Sequence, residues 1–186
     1  MDKVISTFAE AVADIPDGAT IMLGGFGLAT DLPFNLLLAL RDHGAKGLTI
    51  ITNTPGVGSQ HVLNDLGTTQ GVDANLLVEN RQVKKFICSI TFPSTAAERA
   101  ILAGEVELEL VPQGTLAERI RAGGFGIGGF YVRTGVGTLV AEGKERRIIN
   151  GVEYLLEMPL RADYALIKAY RADTVSYTHL TLPTKA

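Results

Sequence analysis

Three short loops hold the residues best suited to chemistry, and each follows an apolar run. The first is Gly24-Gly25-Phe26-Gly27, after Ala19 to Leu23. Adjacent glycines let main-chain N–H groups approach a ligand with no Cβ in the way. Such donors in a dry site stabilise a developing oxyanion by about 3 kcal/mol each. A tight strand-to-helix turn would use the same four residues. The second loop is Asn53-Thr54-Pro55-Gly56, after Leu48 to Thr52. A carboxamide there can donate to a substrate carbonyl or carboxylate, and turn capping by Asn is the plain alternative. The third is Pro112-Gln113-Gly114-Thr115, after Val106 to Val111, with the Gln113 amide expected free at the strand's end. Glu118 and Arg119, further along, have a solvated face as their plain alternative, and that is the expectation for Glu118.

The elements that position these loops alternate. Helical spacing runs from Val4 to Ala13, and Asp17-Gly18 turns the chain into the first strand. Leu32 to Arg41 reads as a helix capped by Asp31, with Pro33 in its first turn and His43-Gly44 closing it. Phe86 to Ser89 is a further strand. Thr95 to Ala103 is a helix stopped by Gly104, and Thr115 to Arg121 a helix stopped by Gly123-Gly124. Ile148-Ile149, Asn150-Gly151 and Tyr154-Leu155 give a hairpin signal, since Asn-Gly suits a type I′ turn. Tyr164 to Ala169 is the last apolar strand. Apolar strands separated by helices imply an α/β fold: three α/β/α layers around a mostly parallel open sheet, plus a small β-hairpin. Ligands of such sheets sit beyond the carboxyl ends of the strands, where the three loops fall.

Other chemistry is discounted on the residues. Gly124, Gly126 and Gly129 match G-x-G-x-x-G, but they follow a helix and no helical pattern follows them, so the dinucleotide fingerprint fails. The tract from Gly123 to Gly129 reads as a loop or lid. His43, His61 and His179 lack metal-ligand spacing, and no metal is expected. Cys88, the single cysteine, sits in an apolar run as a core residue; it excludes an internal disulfide and fits a reducing cytoplasm. A net charge of −3 without a basic stripe argues against nucleic acid. No apolar run approaches the roughly 20 residues that span a bilayer. The length of 186 residues suits one domain. From about Val175 the alternation stops, and Ser176 to Thr184 reads as a foreign tail. The expected organisation is therefore one unit over residues 1–173 and a non-native segment over 174–186.

Three separated blocks resemble one family. Asp17 to Phe26 (DGATIMLGGF), Glu105 to Thr138 (with VELELVPQGTLAERIRAGG and TGVGT) and Tyr154 to Ala172 (YLLEMPLRADYALIKAYRA) are similar to the A-type (alpha) subunit of the family I coenzyme A transferases, leaning to the 3-oxoacid and 3-oxoadipate branches. The resemblance implies transfer of coenzyme A from an acyl-CoA such as succinyl-CoA to a small carboxylic acid. It also implies a glutamate on a B-type partner subunit, which attacks the thioester to give an anhydride and then a glutamyl-CoA thioester. It implies a hetero-oligomer, and coenzyme A as substrate with no further cofactor. Gln113 matches the family's substrate-contacting glutamine, and Asn53 the first asparagine of its loop, while Thr54 replaces the second. Gly24, Gly25, Phe26 and Gly27 would form the wall beside the partner's glutamate, and Gly114 follows Gln113 in the substrate loop. Glu79-Asn80, flanked by Val78 and Arg81, lacks the nucleophile's surroundings, so no catalytic residue is assigned to this chain. Residues 29–33 depart from the family's Gly-x-Pro, and the pattern after Asp173 reads as a truncated subunit. The alternatives are a sugar-phosphate isomerase or deaminase on a related fold, which the absence of lysine from the three loops disfavours, and a truncated, non-catalytic product. Arg133 and Arg161 could meet a second substrate carboxylate; a surface ion pair is the plainer expectation for both.

Overall fold

Aliphatic and β-branched runs become parallel strands in the computed structural model, which describes residues 4–25, 32–58 and 72–170. The order is α1 (Phe8–Val12), β1 (Thr20–Leu23), α2 (Phe34–His43), β2 (Leu48–Ile51), α3 (Asn75–Glu79), β3 (Val83–Cys88), α4 (Ala96–Leu102), β4 (Glu107–Leu110), α5 (Gln113–Phe125), β5 (Phe130–Val132), a 3-10 turn (Leu139–Ala141), β6 (Arg146–Ile149), β7 (Val152–Glu157) and β8 (Tyr164–Leu166). Among the described residues, five strands form one parallel sheet in the order β4-β3-β2-β1-β8. The register pairs Ile21 with Ile50, Ile50 with Phe86, and Phe86 with Leu108.

Alternation along each strand sends side chains to two separate cores. Ile21, Leu23, Leu48, Ile50, Phe86 and Cys88 pack under α1 to α4, against Val12, Leu37, Leu40, Leu77 and Ala97. Met22, Ile51 and Ile87 face the other way, onto Leu116 and Ile120 of α5 and onto Leu160. Helices thus flank the sheet on both faces, as the sequence pattern implies. A second sheet, β5-β7-β6, is antiparallel. Its β6–β7 turn places Asn150 at φ 51° and Gly151 at φ 76°, the geometry expected of Asn-Gly.

Several boundaries move. The first helix is one short turn begun by Thr7, whose hydroxyl accepts from the Glu10 N–H. The second starts at Phe34 behind Pro33; Asp31, its expected cap, lies outside the described residues. β3 begins three residues early, because Lys84 and Lys85 break the apolar run yet still alternate: Lys84 is exposed and Lys85 pairs with Glu109. The expected lid from Gly123 is a correction. Gly123 and Gly124 are helical, α5 ends at Gly126 in the left-handed region, and β5 follows. Gly123 is small because α5 crosses the 158–162 segment there: a Cβ at 123 would sit 1.9 Å from the Leu160 carbonyl oxygen. Gly123 and Gly129 in this tract serve close packing. The expected tail, 174–186, lies outside the described residues.

Candidate active site at the strand ends

The carboxyl ends of β1, β2 and β8 and the start of α5 enclose a cavity of about 320 Å³. Gly24, Gly25, Asn53 and Gln113 all line it, together with Met22, Leu23, Ile51, Leu116, Ile120 and Ile167. Residues 24, 53 and 113 are far apart in sequence, and only parallel strand order brings them together.

Each polar group is held differently. The Gly24 N–H donates to the Leu166 carbonyl at 2.9 Å and so extends the β1–β8 pairing; it is not available to a ligand. Gly25 follows at φ 124°, and its N–H makes no hydrogen bond to another described residue. The Asn53 carbonyl accepts from Ser89 N–H (3.0 Å) and Ile90 N–H (3.3 Å), which anchors the loop by its main chain. Its half-buried carboxamide has no partner among the described residues. Gln113 is the first residue of α5 rather than a loop residue. Its exposed carboxamide is likewise unpaired among the described residues.

Two expected site residues stand apart. Thr54 is buried, its hydroxyl accepts from the Gly56 N–H at 3.1 Å, and it shapes the turn rather than the cavity. Gly114 is exposed and does not line the cavity. Phe26 and Gly27 lie outside the described residues, as do His61 and His179. Glu79 is exposed at the end of α3, and Asn80 bonds the Arg41 carbonyl and Gln82, at the opposite end of the sheet from the cavity.

Sequence reasoning did not find the bracing contacts of Asp73, and it left the role of Arg119 open. Asp73 is buried and accepts from Gly58 N–H (2.8 Å), Asn75 N–H (2.9 Å) and Asn75 Nδ2 (3.0 Å). Burial pushes its carboxyl above the usual range, against the pull of those donors. Asn75 in turn donates to the Pro55 carbonyl and accepts from Ala97 N–H. The network fixes the loop after β2; an isolated Asp in a loop gives no sequence signal for it. Arg119 is the second brace. It is 8% exposed, pairs with Glu109 on β4 at 2.7 Å, and donates to the Met158 carbonyl at 2.7 Å. Burial raises the Glu109 carboxyl, but Lys85 and Arg119 outweigh it and hold the group below its usual value. Glu118 is exposed and pairs with Arg121, as a solvated face should.

Neither Arg133 nor Arg161 pairs with a carboxylate among the described residues. Arg161 borders a second cavity, of about 660 Å³, beside Gly123 and Leu160. Cys88 is buried, and burial pushes its thiol up to about 11, as befits a core residue. Among the described residues no cluster of His, Cys, Asp or Glu could hold a metal ion, and no helix is long and apolar enough to cross a membrane.

The family model for coenzyme A transferase matches residues 5–185. The chain is 49% identical over 175 residues to the A-type subunit of a probable succinyl-CoA:3-ketoacid coenzyme A transferase from Bacillus subtilis, covering 94% of this chain and 68% of that protein. It is 48% identical over 177 residues to the A-type subunit of a 3-oxoadipate CoA-transferase from Pseudomonas putida, covering 93% of this chain and 70% of that protein. An acyl-CoA transferase from Escherichia coli O157:H7 shares the fold with a TM-score of 0.74 at 21% identity, over 88% of this chain and 34% of that one. Amides gathered at the ends of parallel strands, and a family match along nearly the whole chain, lead to one conclusion: this chain belongs to the coenzyme A transferase family.

Proposed function

We propose that this chain forms one wall of a coenzyme A transferase active site and that a B-type partner subunit supplies the attacking glutamate. The reaction would move coenzyme A from an acyl-CoA, such as succinyl-CoA, to a 3-oxoacid. One observation carries the reading. The described residues lining the cavity offer the Gly25 N–H and the Asn53 and Gln113 carboxamides, with Thr52, whose hydroxyl donates to the Thr54 carbonyl and has no base beside it, and include no carboxylate, histidine, cysteine or lysine. Such a wall can stabilise charge but cannot start a nucleophilic reaction. It also lacks the base and the phosphate-binding lysine that a sugar-phosphate isomerase would need.

The partner's glutamate adds to the thioester carbonyl, and its oxygen takes the negative charge. The C–S bond breaks, leaving a mixed anhydride and coenzyme A thiolate. The thiolate then attacks the glutamyl carbonyl, releases the first acid and leaves glutamyl-CoA, which the second acid attacks in the reverse sense. Each addition generates an oxyanion that the wall's amide donors would stabilise. Met22, Leu23, Ile51, Leu116 and Ile120 make the walls apolar, which strengthens those hydrogen bonds and keeps water from the anhydride.

Mixing the chain with a B-type subunit and measuring acyl exchange tests the proposal, and turnover by the chain alone would overturn it. With the pair, Gln113→Ala and Asn53→Ala should each lower kcat/KM by about 10² to 10³. The melting temperature should stay put, because neither carboxamide has a described partner to lose. A panel of acids against succinyl-CoA would separate a 3-ketoacid from 3-oxoadipate as acceptor. The unit boundary at residue 173, the non-native origin of 174–186 and a cytoplasmic location belong to the same proposal. Resequencing the gene through those codons, and fractionating cells, check them.

A further inference from the structure

Four of the residues that wall the cavity, Gln113, Leu116, Ala117 and Ile120, belong to α5. The lie of that helix on the sheet therefore sets both the cavity's width and the reach of the Gln113 amide. The helix's first turn does little to fix itself, since Pro112 precedes it with no side-chain cap. Leu116 and Ile120 pack the helix on the sheet, and Arg119, which does not line the cavity, adds its directional polar ties.

We propose that Arg119 is a positioning residue: it fixes α5 so that the Gln113 carboxamide meets the reacting thioester. The inference rests on the transferase reading above. One nearly buried guanidinium reaches in two directions. Its Nη1 lies 2.7 Å from Glu109 Oε1, and Lys85 holds the other Glu109 oxygen at 2.8 Å, so the pair roots α5 in β4 and β3 of the parallel sheet. Its Nε donates to the Met158 carbonyl at 2.7 Å and stands 3.9 Å from Glu157, a buried carboxylate that Lys144 holds at 2.6 Å. The Arg119 carbonyl accepts from the Leu160 N–H at 2.8 Å, closing the same contact through the main chain. Gln113 lies six residues earlier, about 9 Å along a continuous helix, so a tilt at Arg119 displaces it directly. A lysine carries the same charge but lacks the fixed fork, and cannot serve Glu109 and the Met158 carbonyl together.

The test uses the chain assembled with a B-type subunit, carrying Arg119→Lys, Gln113→Ala or both. Arg119→Lys should lower kcat/KM by about tenfold to a hundredfold. The double variant should be no worse than Gln113→Ala alone, because residues acting as a unit are not additive. Unchanged turnover in Arg119→Lys, or losses that multiply, would overturn the proposal. A second readout does not depend on turnover. In the chain labelled with 15N-glutamine, the Gln113 side-chain resonance, assigned by its loss in Gln113→Ala, should shift in Arg119→Lys. It should stay in place in Arg121→Lys, where the lost partner is the exposed Glu118. A fixed resonance in Arg119→Lys sinks the positioning role whatever the activity. Absence of transfer by the unmodified pair instead sinks the transferase reading, and leaves the resonance to decide the role of Arg119. Should Arg119→Lys fail to fold, Glu109→Gln removes one arm of the fork and takes its place in both measurements.

Discussion

Replacing Gly123 by alanine should destabilise this chain, although helix propensity says the opposite. In a helix interior Ala is favoured over Gly by about 1 kcal/mol. The added methyl at 123, however, would stand 1.9 Å from the Leu160 carbonyl oxygen, 2.9 Å from its carbon and 3.3 Å from Arg161 Cγ. Two of those three are main-chain atoms, which have no rotamer to yield. The helix must lift from the 158–162 segment, stretching the Leu160 N–H to Arg119 carbonyl bond and the Arg119 to Met158 bond. Two such bonds are worth about 2–4 kcal/mol, one being charge-assisted. Loosening Leu160 against Leu116 and Ile120 adds about 1 kcal/mol of lost burial. Set against the propensity gain, the net loss is about 2–4 kcal/mol. That corresponds to a fall in melting temperature of about 5–15 °C for a chain of this size. Gly124→Ala is the internal control: its Cβ would meet nothing within 4 Å, so propensity acts alone and stability should hold or rise slightly. Circular-dichroism melts of both variants decide the matter. A Gly123→Ala protein as stable as Gly124→Ala would refute the close-approach argument and restore the lid reading of this tract.

Three other expectations follow from the same geometry. Gly56→Ala should cost more than Gly123→Ala in urea melts, because its Cβ would fall 2.2 Å from the buried Asp73 carboxylate and its φ of 109° suits only glycine. Glu109→Gln should cost about 0.5–1 kcal/mol at neutral pH, discounted for a side chain one-third exposed. Because the folded pKa of Glu109 lies below its unfolded value, its contribution is present above the usual carboxylate range and is lost as pH falls through the depressed value. The variant should therefore show a shallower acid-side loss in melts recorded from pH 7 to 3, and parallel curves would contradict the pairing. Cys88, with its thiol pushed up to about 11 inside the core, should resist a thiol reagent at pH 8 until denaturant is added. Rapid labelling of the folded chain would show that β3 is not buried as described.

Local pattern sufficed for the elements of the parallel sheet. Runs such as Leu48–Ile51 carry β-branched or aliphatic residues on both faces, the pattern of a strand covered on both sides. The Asn150-Gly151 turn was equally legible, because its backbone angles are a property of those two residues. The candidate site was half legible: Gly25, Asn53 and Gln113 follow strand ends, and in a parallel sheet those ends share one edge. Three things were settled only by tertiary packing. The strand order joined β1 to β8 and turned the Gly24 N–H from a ligand donor into a ladder bond. Helix α5 runs through Gly123 and Gly124, with Gly123 packed on Leu160, where composition alone suggested a loop. Arg119 became a brace because partners distant in sequence surround it, and Asp73 because its local turn with Asn75 is buried against the loop after β2. Local sequence reports what a residue prefers, whereas burial and charge pairing depend on which residues the fold carries to its side.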